Sequence, residues 1–496
     1  MNLKLEKMKT KIVYILLAIS LSSCSDFLEI DSETQLSDNT FFKTQDDFGK
    51  AINGVYAPLR DLYSTAFVMG EMRSDNSYYD YNEDNRGGNR VEFISDFTED
   101  SGNTLLQEKW DYNYAIISRA NKVLVNIDDI EFDDSNLQSN IKGQALFLRA
   151  LSYFDLVQYF GSVPLHLDPV TTLEETALPL SPTQVEVVYQ QIMNDAQLAA
   201  TLLPNKADQE PGRATIGSAK ALLGNVYIVL KMWTQAATVL QEIVDSQQYS
   251  LIPNYANVFD PNNKNNAESI FEVQYLEGPE GYSSNFIYDF LPQPITADEV
   301  SQIIGLPSDV AQSKTDEGLN LPTLDIIASY EDGDLREDAS IGYINISASG
   351  KLTPYVAKYN HAHSQFNNTN DNWPVYRYSE VLLSLAEALY ETGSGDPLIY
   401  LNQVRNRAGL GDVVTIDKAI ILHERRIELA FENKRWLDLV RTDNAETVMK
   451  AFGANVIANP QDYFFPIGTG PIPSAYAVIN TTFPLPSREV ILNPNF

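Results

Sequence analysis

Residues 74–89 read Ser-Asp-Asn-Ser-Tyr-Tyr-Asp-Tyr-Asn-Glu-Asp-Asn-Arg-Gly-Gly-Asn and carry the residue types that grip a sugar. Tyr78, Tyr79 and Tyr81 offer aromatic faces on which the apolar C–H face of a pyranose can stack. Asp75, Asn76, Asn82 and Arg86 offer the carboxylate, amide and guanidinium groups that bind its hydroxyls. No helical periodicity runs through the segment, so it reads as a loop, and binding residues concentrate on loops held by a rigid scaffold. The competing reading is a surface loop whose tyrosines pack on the body. Residues 275–288, with Tyr282, Phe286 and Tyr288, form a second aromatic candidate, and Trp373 a third.

Other chemistries find less support. A glycosidase needs two carboxylates about 5–9 Å apart, one with its pKa raised, and no pair stands out from the acidic background. His361-Ala362-His363 would place two rings on one face of a strand, but no third metal ligand is signalled. Residues 128–134 (Asp-Asp-Ile-Glu-Phe-Asp-Asp) lack the alternating ligands and glycine of a calcium loop and read as a solvated connection between helices. Gly468-Thr469-Gly470 is too short for a phosphate loop. No catalytic residue, metal or cofactor is therefore assigned, and the chain is read as a non-enzyme.

Cys24 is the only cysteine of the 496 residues. Lys4, Lys7, Lys9 and Lys11 precede an apolar run over residues 12–19, and Leu21-Ser22-Ser23 leads directly into Cys24. The run is too short to span a bilayer comfortably, and the pattern resembles a bacterial lipobox, in which the cysteine is acylated and the chain cut before it. Residues 1–23 are then a signal peptide and residues 24–40 a lipidated tether. One acyl chain holds a protein only marginally, so durable anchoring takes several. Membrane contact is expected through this lipid alone.

The elements that must position the candidate residues are mostly helical. Phe48, Ile52, Val55, Tyr56 and Leu59 form a stripe after Asp46. From about 104 to 248 the pattern continues in helix pairs. Leu146, Ala150, Tyr153, Phe154, Val157 and Phe160 make one face of a helix whose other face, Ala145, Leu148 and Leu151, is apolar too. Gly161 ends that helix, and Thr183 with Glu186 predicts a capping box for the next. Leu223-Gly224, Tyr227, Ala236 and Leu240 have the spacing of a tetratricopeptide repeat, with small residues where two helices meet. Residues 250–375 turn loop-rich, with short strands expected near 270–273 and 355–359, and helices return at 376–392 and 397–407. The expected fold is mainly α, a repeat-like helical solenoid with an irregular subregion containing a few short strands. Residues 41–250 form the repeat-containing part and 251–496 the loop-rich and helical part, packed as one body.

The formal charge is −32, from 35 Lys and Arg against 67 Asp and Glu. Such a surface excludes nucleic acid as a partner, since its phosphates demand basic residues, and suits a neutral ligand.

Residues 373–383, Trp-Pro-Val-Tyr-Arg-Tyr-Ser-Glu-Val-Leu-Leu, followed by Ala386-Glu387-Ala388, resemble a hallmark of the SusD/RagB family of surface glycan-binding lipoproteins. Residues 402–409, residues 424–432 (Glu-Arg-Arg-Ile-Glu-Leu-Ala-Phe-Glu), residues 435–441 (Arg-Trp-Leu-Asp-Leu-Val-Arg), Gly333-Asp334-Leu335-Arg336 and the ending Asn493-Pro494-Asn495-Phe496 fit the same family in order. The hallmark residues themselves read as scaffold: Trp436, Leu439 and Val440 share an apolar face, and Glu432 with Arg435, like Asp438 with Arg441, stand at pairing distance. The resemblance implies an oligosaccharide or polysaccharide ligand, an outer-membrane location, and a SusC-like TonB-dependent transporter as partner. It also implies that the loop of Tyr78, Tyr79 and Tyr81 contributes to the glycan site. A peptide or other nutrient on the same scaffold is the alternative, and a surface glycosidase a distant third.

Overall fold

The structure is a computed structural model that describes residues 41–84, 90–169, 180–316 and 318–496. Cys24, the signal peptide and the tether lie outside these residues, as does Arg86. Among the described residues no helix is long and apolar enough to cross a membrane.

Helix α1 (Gln45–Tyr56) starts one residue before the expected acidic turn, because Thr44 and Asp47 cap each other's backbone N–H. Leu59 belongs to a separate short helix, Pro58–Ser64, since Pro58 has no N–H with which to continue α1. The long helices α2 (Thr104–Asn126) and α3 (Ser135–Phe160) pack side by side, and α4 (Val185–Leu202) covers the other face of α3. That sandwich is why α3 buries both of its apolar faces. Asp134, the last residue of the acidic run 128–134, accepts from Asn136 N and caps α3, while Gly161 closes it at φ 72°.

The capping box expected at Thr183 does not form. Helix α4 begins one residue later, so Glu186 falls at its second position and cannot reach back. Thr183 instead pairs through its backbone with Val163. Helices α5 (Ile216–Val229) and α6 (Trp233–Asp245) are the repeat-like pair. A Cβ on Gly224 would stand 2.5 Å from Leu240 Cδ2, so the small residue does set the close approach of the two helices.

Strands β1 (Ser77–Asp80), β2 (Ser269–Val273), β3 (Gly318–Pro322), β4 (Ile341–Ile346), β5 (Lys351–Val356) and β6 (Trp373–Arg377) form, among the described residues, three two-stranded antiparallel sheets: β1 with β3, β2 with β6 and β4 with β5. Strand β6 takes the first residues of the expected helix at 376, and α7 (Tyr378–Thr392) starts directly after it. Helices α8 (Leu398–Arg407), α9 (Lys418–Glu428), α10 (Arg435–Arg441) and α11 (Ala445–Ala458) follow.

One apolar core runs through residues from Phe42 to Phe483. The final segment straps the first third of the chain: Tyr476 N donates to Asp96 O (2.9 Å), Phe483 N to Tyr159 O (2.8 Å) and Ser487 N to Ser101 O (2.7 Å). Arg73 reaches the other way, to Asn480 O at 3.0 Å.

Candidate functional site

The hallmark motifs build a buried ionic core. Arg377, at the end of β6, pairs with Glu268 (2.5 Å), Glu428 (3.0 Å) and Glu432 (2.7 Å). Arg336 binds Asp334 (2.7 Å), Glu424 (2.6 Å) and Glu428 (3.1 Å), Arg407 joins Glu268 and Glu428, Arg405 reaches Glu424, and Lys358 lies 2.7 Å from Glu432. Burial alone would raise Glu428 and Glu432. The cations around them outweigh it and hold both carboxyls below the usual range. The expected Glu432–Arg435 pair is not made, because Glu432 turns inward to Arg377 and Lys358. Arg435 instead grips Asp75 at 2.7 Å. Asp438 and Arg441 do pair, at 2.6 Å.

Much of the aromatic segment that looked like a sugar platform belongs to this scaffold. Asp75 is held between Arg426 (3.0 Å) and Arg435. The Asn76 amide donates to Glu71 Oε1 and accepts from Arg426, both at 2.8 Å. Tyr78 and Tyr79 are fully buried and stacked, ring centres 4.4 Å apart, with both hydroxyls on the Asp96 carboxylate. None of these four side chains can present a face to a ligand. β1 pairs with β3 through a bulge between Tyr78 and Asp80, which lets the adjacent rings of Tyr78 and Tyr79 stack on one side, and Phe452, Tyr463 and Phe465 pack around Tyr78, so the segment is an inner strand.

Phe286, Tyr288 and Trp373 are corrected in the same way. Trp373 stacks on Tyr359 (5.1 Å, 10°) with Phe286 at 4.8 Å, all inside the core. Tyr288 is buried and donates to His363 Nε2 at 2.5 Å, while His363 Nδ1 donates to His361 O at 2.8 Å. His361 pairs with Asp371 instead, so the two imidazoles serve separate partners. No group of three or more metal-type ligands occurs among the described residues.

Tyr81 and Asn82 remain at the surface, next to a cleft of about 550 Å³, within the range of small-ligand sites. Asp80 and Tyr81 line it from the end of β1, Tyr343 and Ile346 from β4, Lys351 and Leu352 from β5, and Phe464 and Phe465 from the C-terminal part. Asn82 donates to the carbonyls of Thr315 (2.9 Å) and Asp316 (3.1 Å), which fixes the chain behind Tyr81. The Tyr81 ring leans on Phe465, centres 5.2 Å apart. Tyr343 is 46% exposed because β4 alternates, with Ile344 and Ile346 turned inward. The cleft therefore offers two tyrosine faces, a lysine and two carboxyls, Asp80 and the exposed Asp462. Tyr343, Phe464 and Phe465 were missed in the sequence, although the alternation Tyr343-Ile344-Asn345-Ile346 marks Tyr343 as an outward tyrosine.

Asp80 lines the same cleft. Burial pushes its carboxyl up from 3.8 to about 7, against the opposing pull of the Gln293 N–H and Lys351. The folded state thus holds a proton that the unfolded chain releases near pH 4, and wild-type stability falls as pH rises from about 4 to about 7. Asp80→Asn should be more stable than wild type at pH 8 and indistinguishable from it near pH 4. Thermal melts at both values check this, and an equal difference at the two would refute the assignment.

This chain is 31% identical to SusD-like protein P2 of Formosa agariphila, across 98% of each chain. It belongs to the SusD family. The SusD family pattern matches residues 340–496, and a related SusD-like pattern, described as starch-binding and associating with the outer membrane, matches residues 26–228. SusD-like protein P25 of the same organism is 27% identical over 88% of this chain and 90% of its own. Among solved structures, a laminarin binding SusD-like protein superposes with a TM-score of 0.73 at 26% identity, covering 92% of this chain and 100% of that one. A SusD homolog from Bacteroides thetaiotaomicron shares the fold, with a TM-score of 0.77 at 20% identity over 94% of this chain and 98% of its own. In this SusD-like chain the cleft draws on both matched spans, Tyr81 from the first and Tyr343 and Phe465 from the second.

Proposed function

We propose that this SusD-like protein binds a neutral polysaccharide or oligosaccharide at the cell surface and hands it to a SusC-like TonB-dependent transporter in the outer membrane. The observation that carries this reading is Tyr343, half exposed on the rim of the cleft that Tyr81 also lines. Its sidedness suits stacking on a sugar, and a structural relative is named for binding laminarin. The described residues hold two-stranded sheets and no bilayer-length apolar helix, so a captured sugar needs another protein to cross. The lipobox pattern at Cys24 supplies the anchor.

The test is affinity electrophoresis against a panel of neutral glucans, with a reducing-sugar assay alongside. One glucan should bind without being cleaved. Tyr343→Ala should weaken that binding roughly five- to tenfold, as loss of one stacked ring does, with no change in melting temperature. Affinity should stay constant between low and high salt. Wild-type affinity in the Tyr343 variant, or release of reducing ends, would reject the proposal. For the anchor, Cys24→Ala should release the protein from the membrane fraction; unchanged fractionation would remove that part.

A peptide ligand is the second reading. Leu324, Leu352 and Ile467, exposed by 51%, 62% and 92%, line the same cleft and would suit apolar side chains. A peptide mixture in the same panel separates the two.

A further inference from the structure

A second cleft, also of about 550 Å³, opens between α1, the helix Pro58–Ser64, residues 211–213 and the end of β2. It shares no lining residue with the first. Tyr282, 46% exposed, stands on its rim with the Arg60 guanidinium 4.5 Å from the ring centre. Tyr56 lines it with the Arg213 guanidinium 4.8 Å from its ring. The exposed Arg119 of α2 donates to Gly54 O at 2.7 Å, at the edge of the same space. The loop that carries Arg213 comes this close because of Gly212. At φ 83°, a Cβ there would lie 2.6 Å from Gln274 Cγ.

This concentration of lightly paired arginine runs against the rest of the molecule. Acids outnumber bases 67 to 35, and the buried arginines such as Arg73, Arg149, Arg336 and Arg377 each meet a carboxylate. Arg60 and Arg119 have no carboxylate partner among the described residues. Arg213 reaches Glu210 only at 3.6 Å, with that side chain 80% exposed. The one acid lining the cleft, Glu272, accepts from Asn265 N (3.2 Å) and the Asn372 amide (2.8 Å).

A guanidinium laid over a ring keeps its N–H edges in the plane, and an open edge matches the two oxygens of a carboxylate or sulfate. Arg213 already gives Nη2 to the exposed Asn53 Oδ1 on the same rim, so an anion there meets its remaining N–H groups or takes the place of that amide. The neighbouring tyrosine faces take a sugar ring. The geometry points to a second binding site in this cleft, for an acidic oligosaccharide whose carboxylate or sulfate groups lie on Arg60 and Arg213 while a ring stacks on Tyr282. It is independent of the neutral-sugar site at Tyr343.

Isothermal titration of the full mature chain with oligogalacturonate, with sulfated carrageenan oligomers and with neutral laminari-oligosaccharides tests this. At least one acidic oligomer should bind and weaken roughly tenfold between 0.05 and 0.5 M salt, as screening of exposed charges requires. Arg60→Gln and Arg213→Gln should each cost roughly fivefold or more, and Arg60→Lys should restore only part, because a point charge lacks the fork. Tyr343→Ala should leave acidic binding unchanged. Which acidic oligomer binds names the charged group. The site is overturned if neither binds better than the neutral oligomer, which the wild-type chain decides alone. It is overturned equally if both glutamine variants bind like wild type, or if Tyr343→Ala abolishes acidic binding.

Discussion

Arg377→Met lowers the stability of the fold by about 3–5 kcal/mol, the cost of removing one partner from a buried ionic group. The guanidinium touches three carboxylates, Glu268, Glu428 and Glu432, all of them within the core. Its loss leaves them pressed together with Arg407, Arg336 and Lys358 as remaining countercharge. Replacing the whole cluster by apolar residues could be neutral; taking out one cation cannot be. The deficit also depends on pH, with a definite sign. In wild type Glu428 and Glu432 have folded pKa values below 4.5, so their contribution is present above that value and lost as pH falls through and below it. Without Arg377 both carboxyls move up, and the gap between variant and wild type is widest at pH 7–8 and narrows toward pH 4. Urea denaturation at pH 5 and pH 8 measures it. A loss under 1 kcal/mol at pH 8 would show that Arg377 does not neutralise the cluster.

Tyr78→Ala acts on the fold and not on the ligand. A fully buried aromatic truncated to alanine costs about 3–5 kcal/mol, and here Asp96 loses one of its two phenol donors as well. Tyr78→Phe keeps the ring and removes the donor, a loss of about 1–3 kcal/mol, and should bind glycan like wild type. Tyr78 as an exposed stacking face, the reading its sequence neighbours suggest, would give the reverse: weakened binding at an unchanged melting temperature. A melting scan decides between them. A Tyr78→Ala protein with wild-type stability and no glycan binding would return this residue to the site.

The two tyrosine classes show where the sequence is legible. Helix faces, stops and the Gly224 contact follow from local spacing, and α2 to α6 were readable for that reason. The hallmark segments 373–383 and 424–441 were recognisable as scaffold, since paired charges beside Trp436 describe an interior, and Trp436 is fully buried. Residues 75–79 were misread because their partners are remote. Asp75 meets Arg435 and Asn76 meets Arg426, some 350 residues on, and nothing in the local pattern states that pairing. A tyrosine with polar neighbours looks the same whether those neighbours face water or a distant arginine. Tyr81, three residues past Tyr78, kept its surface place where β1 ends.

The strap formed by residues 476–487 has a consequence for how the fold is reached. Asp96, Ser101 and Tyr159 receive backbone hydrogen bonds from a segment made more than 300 residues later, and Arg73 bonds to Asn480 across 407 positions. A chain emerging N-terminus first holds α2 and α3 early, with Arg73 and Asp96 still waiting for their closing partners. Contacts of such sequence separation cost loop-closure entropy before they return any stability, and they slow folding relative to a bundle of local helix pairs. The last segment to emerge is thus the one that locks the first. Pulse-labelled hydrogen exchange during refolding should find the amides of Tyr476 and Phe483 protected together with the close of folding, well after those of α5 and α6.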